Sequence, residues 1–178
     1  MNIKQHVKLV LLLFIIVVFG YVFQTSVFSY LKLSQIIPNF LIIITCTYGF
    51  IYGSNFGMLS GIMCGLLMDV YSSYIFGVYL FIFILIGFIS GLFNKFLYGD
   101  GLRLPLLLIA ICDFLFGIGC YIVRLITLGI NDFNFCLKEI IIPETLFTVL
   151  IALFTYPILK FLNRAIDRPK DPRRVESN

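Results

Sequence analysis

The sequence predicts an all-α fold, a polytopic bundle of six transmembrane helices, and three observations carry that prediction. Hydrophobic residues make up 61% of the 178 and charged residues only 12%, with a mean hydropathy of +1.06, so too few polar side chains exist to cover a soluble domain. Uncharged apolar runs of roughly 15 to 25 residues recur along the chain, close to the length a helix needs to cross a bilayer. The basic residues concentrate on alternate sides of those runs. An outer-membrane barrel would show strands of alternating polarity, and a disordered chain would show low hydrophobicity; neither pattern is present.

Taken in order, the first run covers about 9–28, behind Lys4, His6 and Lys8. It is long for a signal peptide and Gln24–Phe28 offers no small-residue cleavage site, so an uncleaved anchor is expected. The second run, about 36–52, has its helix start marked by Pro38-Asn39, because proline fits the first helical turn. The third, about 56–70, reaches only ~22 Å at 1.5 Å per residue, short of the ~30 Å hydrocarbon core, and should be surrounded by other helices. Because Gly53-Ser54-Asn55 carries no charge, the second and third runs could also form a re-entrant hairpin. A fourth run covers about 75–93 and a fifth about 104–128, separated by the Gly99-Asp100-Gly101 turn. After an expected loop over Asn131–Lys138, the sixth runs over about 140–162. Pro143-Glu144 suits its first turn, where proline gives up an unused donor and a carboxylate meets the positive dipole end. Tyr156-Pro157 predicts a kink or an early break in the same helix. The membrane domain is thus expected over residues 1–162 and a basic tail over 163–178, where Pro169 and Pro172 block helix and the charge can meet anionic lipid or a cytoplasmic protein.

Charge orients the bundle. With both termini inside, the inner segments hold Lys4, Lys8, Lys95, Arg103, Lys160, Arg164, Arg168, Lys170, Arg173 and Arg174, ten of the 13 basic residues. Lys32 and Lys138 fall outside and Arg124 near the outer end of the fifth helix. Lysine and arginine are retained on the cytoplasmic side during insertion, so both termini are expected there.

Glycines recur four apart at Gly49, Gly53, Gly57, Gly61 and Gly65, and the next step lands on Asp69. Four residues advance a helix by about 400°, so Gly57, Gly61, Gly65 and Asp69 form one slowly drifting stripe. Helices in lipid associate largely through close packing over small residues, which makes the stripe a groove for another helix, either a partner's or one of the bundle's own. Gly87 and Gly91 add a shorter glycine pair that suits internal packing. Asp69, near the outer end, either takes part in an interaction at that surface or bonds a neighbouring loop or helix end. Asp113 lies about ten residues into the fifth helix, near mid-membrane, where a carboxylate needs a partner or a proton. It is a candidate intramembrane polar site, either a structural contact or part of a ligand or ion pathway. Arg124 shares its face but lies ~16 Å along the axis, too far for direct pairing.

No Ser/His/Asp or Cys/His arrangement, phosphate loop or metal-ligand spacing occurs, so neither a catalytic residue nor a metal or cofactor site is expected. Of the five cysteines, Cys46, Cys64, Cys112 and Cys120 lie within apolar runs, where they suit small apolar fillers. No basic, aromatic-interleaved face suits nucleic acid.

These residues resemble the rod shape-determining MreD family over most of the chain: Gln24, Pro38-Asn39, the Gly57–Gly61–Gly65–Asp69 run followed by Gly77-Val78, Ile142-Pro143 and Tyr156-Pro157. The glycine-to-aspartate run is the specific part. The resemblance implies a non-catalytic membrane scaffold of the bacterial elongation machinery, in the inner membrane. Its implied direct partner is MreC, which joins the filament protein MreB to RodA and a class B penicillin-binding protein. The family also looks distantly like the substrate-binding subunits of energy-coupling-factor vitamin transporters, which supports an alternative reading as a small-solute or lipid binder built around Asp113 and the outer loops. Those subunits dock through alanine motifs on their first helix, whereas Val10–Phe23 here contains no alanine.

Overall fold

The chain is described by a computed structural model over residues 3–31, 37–71, 76–96, 102–129 and 132–167. Expectations at Lys32, Ser72-Ser73, Gly99–Gly101, Asn131 and the tail beyond Asp167 lie outside the described residues. Those described form helices and no strand: α1 (Ile3–Leu31), α2 (Phe40–Tyr52), α3 (Ser54–Tyr71), α4 (Val78–Leu92) with a 3-10 turn at Phe93–Phe96, α5 (Arg103–Leu128), α6 (Phe133–Cys136) and α7 (Ile142–Asp167). A π-helical turn, Leu137–Ile141, joins α6 to α7. Three stretches are long and apolar enough to cross a membrane, Val7–Ser26, Arg103–Thr127 and Phe133–Asn163, and α2 and α4 are shorter apolar helices.

At the centre stands α2, touching α1, α3, α4, α5 and α7. Its residues from Leu41 to Gly49 are all buried, as befits a helix apolar all round. The hydroxyls inside it are satisfied locally, Thr45 donating to the Leu41 carbonyl at 2.9 Å and Thr47 to that of Ile43 at 2.6 Å. With 13 residues it reaches only about 20 Å. The short, enclosed helix is therefore α2 rather than α3, which gains a turn over the expected length and holds 18 residues. Gly53, at φ +88°, makes the tight corner between them, a backbone conformation costly for other residues.

Two expectations about the last helix are corrected. The segment read as a loop over Asn131–Lys138 is helical from Phe133, so Pro143-Glu144, in the first turn of α7 as expected, continues a helical rod that begins upstream. Proline lacks the N–H that would bond four residues back and crowds that carbonyl. Just upstream the helix widens, with the Ile142 N–H bonding five residues back to Leu137, which accommodates Pro143 without ending the rod. Likewise no early break follows Tyr156-Pro157, since α7 continues past Pro157 and Leu162 to Asp167.

Candidate functional site: a glycine seam, two helix caps and a polar cavity

The glycine stripe is occupied from within the chain by α4. A Cβ on Gly57 would run into the Gly87 carbonyl, one on Gly61 into that of Phe83, and one on Gly65 would lie 2.5 Å from the Leu80 Cα. The fit is reciprocal, because a Cβ on Gly87 would meet the Gly57 carbonyl and one on Gly91 the backbone of Ser54. Gly49 brings α2 to the same point, where a Cβ would come 3.0 Å from the Gly87 carbonyl and meet the Ser90 hydroxyl. Close backbone approach of this kind is the main cohesive contact available between helices in lipid. Ser60 and Ser90 turn their hydroxyls back onto the Gly57 and Gly87 carbonyls at 2.8 and 3.0 Å, so the seam buries no unsatisfied hydroxyl there.

Asp69 closes that seam at one end. It is 2% exposed, and its two oxygens accept the backbone N–H groups of Tyr79 at 3.1 Å and Leu80 at 2.9 Å. Those donors are in the first turn of α4, whose N-cap residue, Gly77, has no side chain and sits at φ +99°. A carboxylate supplied by α3 thus does what an N-cap side chain does, and meets the positive end of the α4 dipole. Gly77 permits the left-handed corner that brings α4 under it.

A second trans cap assembles Gln24, Pro38 and Asn39. The Gln24 side-chain oxygen, from α1, accepts the Phe40 N–H at 3.0 Å. Asn39 caps α2 in the ordinary way through Ile42, at 3.3 Å, while its own N–H donates to the Thr148 hydroxyl of α7 at 3.0 Å. Pro38, buried beside them, has no N–H to satisfy. Three helices therefore meet at the start of α2, where the Asn39, Phe40 and Ile42 N–H groups are bonded, as burial in lipid favours. At the opposite end Asn94 donates to the Phe50 and Ile51 carbonyls at 2.6 and 3.0 Å. Nearby, Tyr156 is buried edge-on to Phe50, and the Tyr48 hydroxyl donates to the Asn163 side-chain oxygen at 3.1 Å.

Asp113 is set apart from both caps. It is 2% exposed, and neither carboxylate oxygen has a hydrogen-bond partner. The hydroxyls of Thr145 and Thr148 stand beside it; Thr145 donates to the Ile141 carbonyl at 2.8 Å, while Thr148 accepts from Asn39 and retains its own proton. Next to this group a cavity of about 150 Å³ opens between α4, α5 and the rod formed by α6 and α7, walled among others by Tyr79, Tyr121, Arg124 and Glu144. Sequence reasoning missed Glu144 as a cavity residue because its place beside Pro143 already suggested a helix cap. The available signal was the shared helical spacing of Cys136, Ile140, Ile141 and Glu144. Among the described residues no three His, Cys, Asp or Glu side chains come together as a metal site.

No curated protein and no solved structure matches the chain. A family model does, over residues 5–166, nearly the whole length. That range includes the glycine seam, both trans caps and the cavity, and on this match the chain belongs to the rod shape-determining protein MreD family.

Proposed function

We propose that the chain is a non-catalytic scaffold of the bacterial cell-elongation machinery. In this reading it crosses the inner membrane six times with both termini in the cytoplasm and holds the membrane helix of MreC. Through MreC it works with MreB, RodA and a class B penicillin-binding protein, while its basic tail meets anionic lipid. Family membership supports the role in rod shape.

The observation that carries the binding part is an apolar groove of about 510 Å³ between α1 and α7, floored by Phe40 and Ile44 of α2. From Leu12 to Phe23 its α1 wall runs about 16 Å, three turns of a helix. The α7 wall is Thr155, Ile158, Leu159 and Leu162. Phe19 and Ile158 are 70% and 58% exposed, so the groove presents a contact surface that the described residues leave uncovered. A single apolar helix laid there gains packing on three sides, which is what drives association in lipid. Gly57, Gly61, Gly65 and Asp69 serve this surface indirectly, by clamping α3 and α4 onto α2 and so fixing the groove floor.

The test is co-purification of MreC with chains carrying Ile15→Trp or Ile158→Trp, which fill the groove without adding charge. Recovery of MreC should fall at normal membrane abundance; full recovery with both variants sinks the groove assignment. The orientation is tested separately, a cysteine placed at Ser73 reacting from the outside with an impermeant reagent and one at Asp100 remaining protected.

A further inference from the structure

The cavity between α5 and α7 has charged groups of both signs in its wall, Arg124 and Glu144. On α5 its wall is Phe116, Gly117, Cys120, Tyr121 and Arg124. Asp113 continues that stripe one turn deeper, because residues three and four apart share a helix face. On the other side the wall ends at Glu144, and the next turn brings Thr145 and Thr148 to Asp113. Asp113 therefore lies behind the wall, one turn along α5 from Phe116 and Gly117, buried with neither carboxylate oxygen hydrogen-bonded. Glu144 is within electrostatic range of both Asp113 and Arg124. A buried carboxylate with neither oxygen bonded is costly, and a charged residue kept inside a membrane bundle points first to a binding or transport site.

Shape supports occupancy. The π-helical turn supplies Ile140 and Ile141 to the wall, and such turns concentrate at functional sites because the extra residue re-aims its neighbours. Gly117 lets that turn come close, since a Cβ there would lie 2.9 Å from the Ile141 side chain. Opposite, the rings of Tyr79 and Phe116 pack 6.0 Å apart and offer aromatic faces to a cation.

We propose that this cavity binds a small zwitterion, its ammonium group held by Glu144, with the charge of Asp113 one turn behind, and its anionic group by Arg124 at the exposed rim. An ammonium donates to the Glu144 carboxylate and lies against the aromatic faces, while the guanidinium fork donates to a carboxylate or phosphate. A volume of about 150 Å³ suits a molecule the size of an amino acid or a lipid headgroup. Free amino acids and phosphatidylethanolamine share this chemistry. The site is independent of the groove between α1 and α7, so the scaffold reading stands or falls separately.

The experiment uses the full chain in phosphatidylglycerol nanodiscs and follows its thermal unfolding midpoint, which a ligand selective for the folded state raises. Three conditions are compared: added glycine, added glycolate as its amine-free analogue, and nanodiscs that also contain phosphatidylethanolamine. A rise with glycine but not glycolate identifies a free zwitterion as the ligand; a rise confined to phosphatidylethanolamine discs identifies the headgroup. Glu144→Gln and Arg124→Gln should each weaken the effect by roughly ten-fold or more in apparent affinity, the loss expected for one charge-assisted contact. If Glu144→Gln fails to fold, Arg124→Gln at the exposed rim decides alone. No rise in any condition, an equal rise with glycolate, or a rise that survives in Arg124→Gln overturns the proposal.

Discussion

The carboxylate of Asp69 caps a helix to which it does not belong: its Oδ2 accepts the backbone N–H of Leu80 at 2.9 Å, while Oδ1 takes that of Tyr79. The same Leu80 backbone lies against Gly65, so cap and glycine seam are one device seen at successive turns of α3. The device locks α4 in register along α3 as well as holding it close. A shift of one residue would leave the α4 donors without their acceptor.

Replacement of Asp69 separates these contributions. Asp69→Asn keeps one carbonyl oxygen and loses the charge, and should cost about 1–2 kcal/mol. Asp69→Leu leaves both donors unpaired and should cost roughly 2–5 kcal/mol. Thermal unfolding of the purified chain in detergent measures both, and membrane abundance should fall in the same order. Equal stability of the two variants would contradict the capping role.

The seam tolerates no added volume. Gly61→Ala places a Cβ against the Phe83 backbone, which cannot rotate aside, and should destabilise by about 1–3 kcal/mol. Gly119→Ala is the control, because its Cβ would meet the flexible end of the Ile82 side chain at 3.1 Å and should be accepted. Unfolding midpoints of the two variants, compared in one detergent, check the distinction.

At the start of α2, Gln24→Leu leaves the Phe40 N–H only its contact with the Pro38 carbonyl at 3.2 Å, and Asn39→Ala removes the cap on Ile42. Each should cost about 1–2 kcal/mol. Both are expected to loosen α1 and α7 together, since Gln24 comes from one and Thr148 from the other. Protease susceptibility of those two helices in micelles should rise in parallel; an effect confined to α1 after Asn39→Ala would contradict the shared junction.

For Asp113 the expectation runs opposite to that at Asp69. It has no hydrogen bond to lose, and removing an unpartnered buried carboxylate removes its desolvation cost. Asp113→Asn should therefore fold normally, and Asp113→Leu should raise the unfolding midpoint, the pattern expected where a residue is kept for function at the expense of stability. A marked loss of stability in Asp113→Asn would show instead that the carboxylate is a structural bond donor or acceptor.

The helices were legible because apolar runs and their polar breaks report burial in lipid directly. The ends were less so. Around Phe133–Glu139 the frequent polar residues resemble a loop, yet Asn134, Lys138 and Glu139 all project outward from a helix whose other face buries Cys136 and Ile141. Spacing identified the stripe of Gly57, Gly61 and Gly65 but could not name its occupant, since periodicity fixes a face and says nothing of what meets it. The bond from Phe40 to Gln24 and that from Leu80 to Asp69 depend on how separate helices pack, which no local pattern encodes. Glu144 was hidden by a sufficient local explanation, and only the cavity shared with Arg124 reveals its second environment.

Site-specific photocrosslinking in living cells tests the central claim most directly. A photoreactive residue is placed at Phe19 or Ile158, in the groove between α1 and α7, and at Ile62 or Leu66, on the exposed face of α3. The account predicts adducts with the MreC membrane helix from Phe19 and Ile158 and none from Ile62 and Leu66. Adducts from Ile62 and Leu66 with none from the groove would contradict it and return the partner to the α3 side of the bundle.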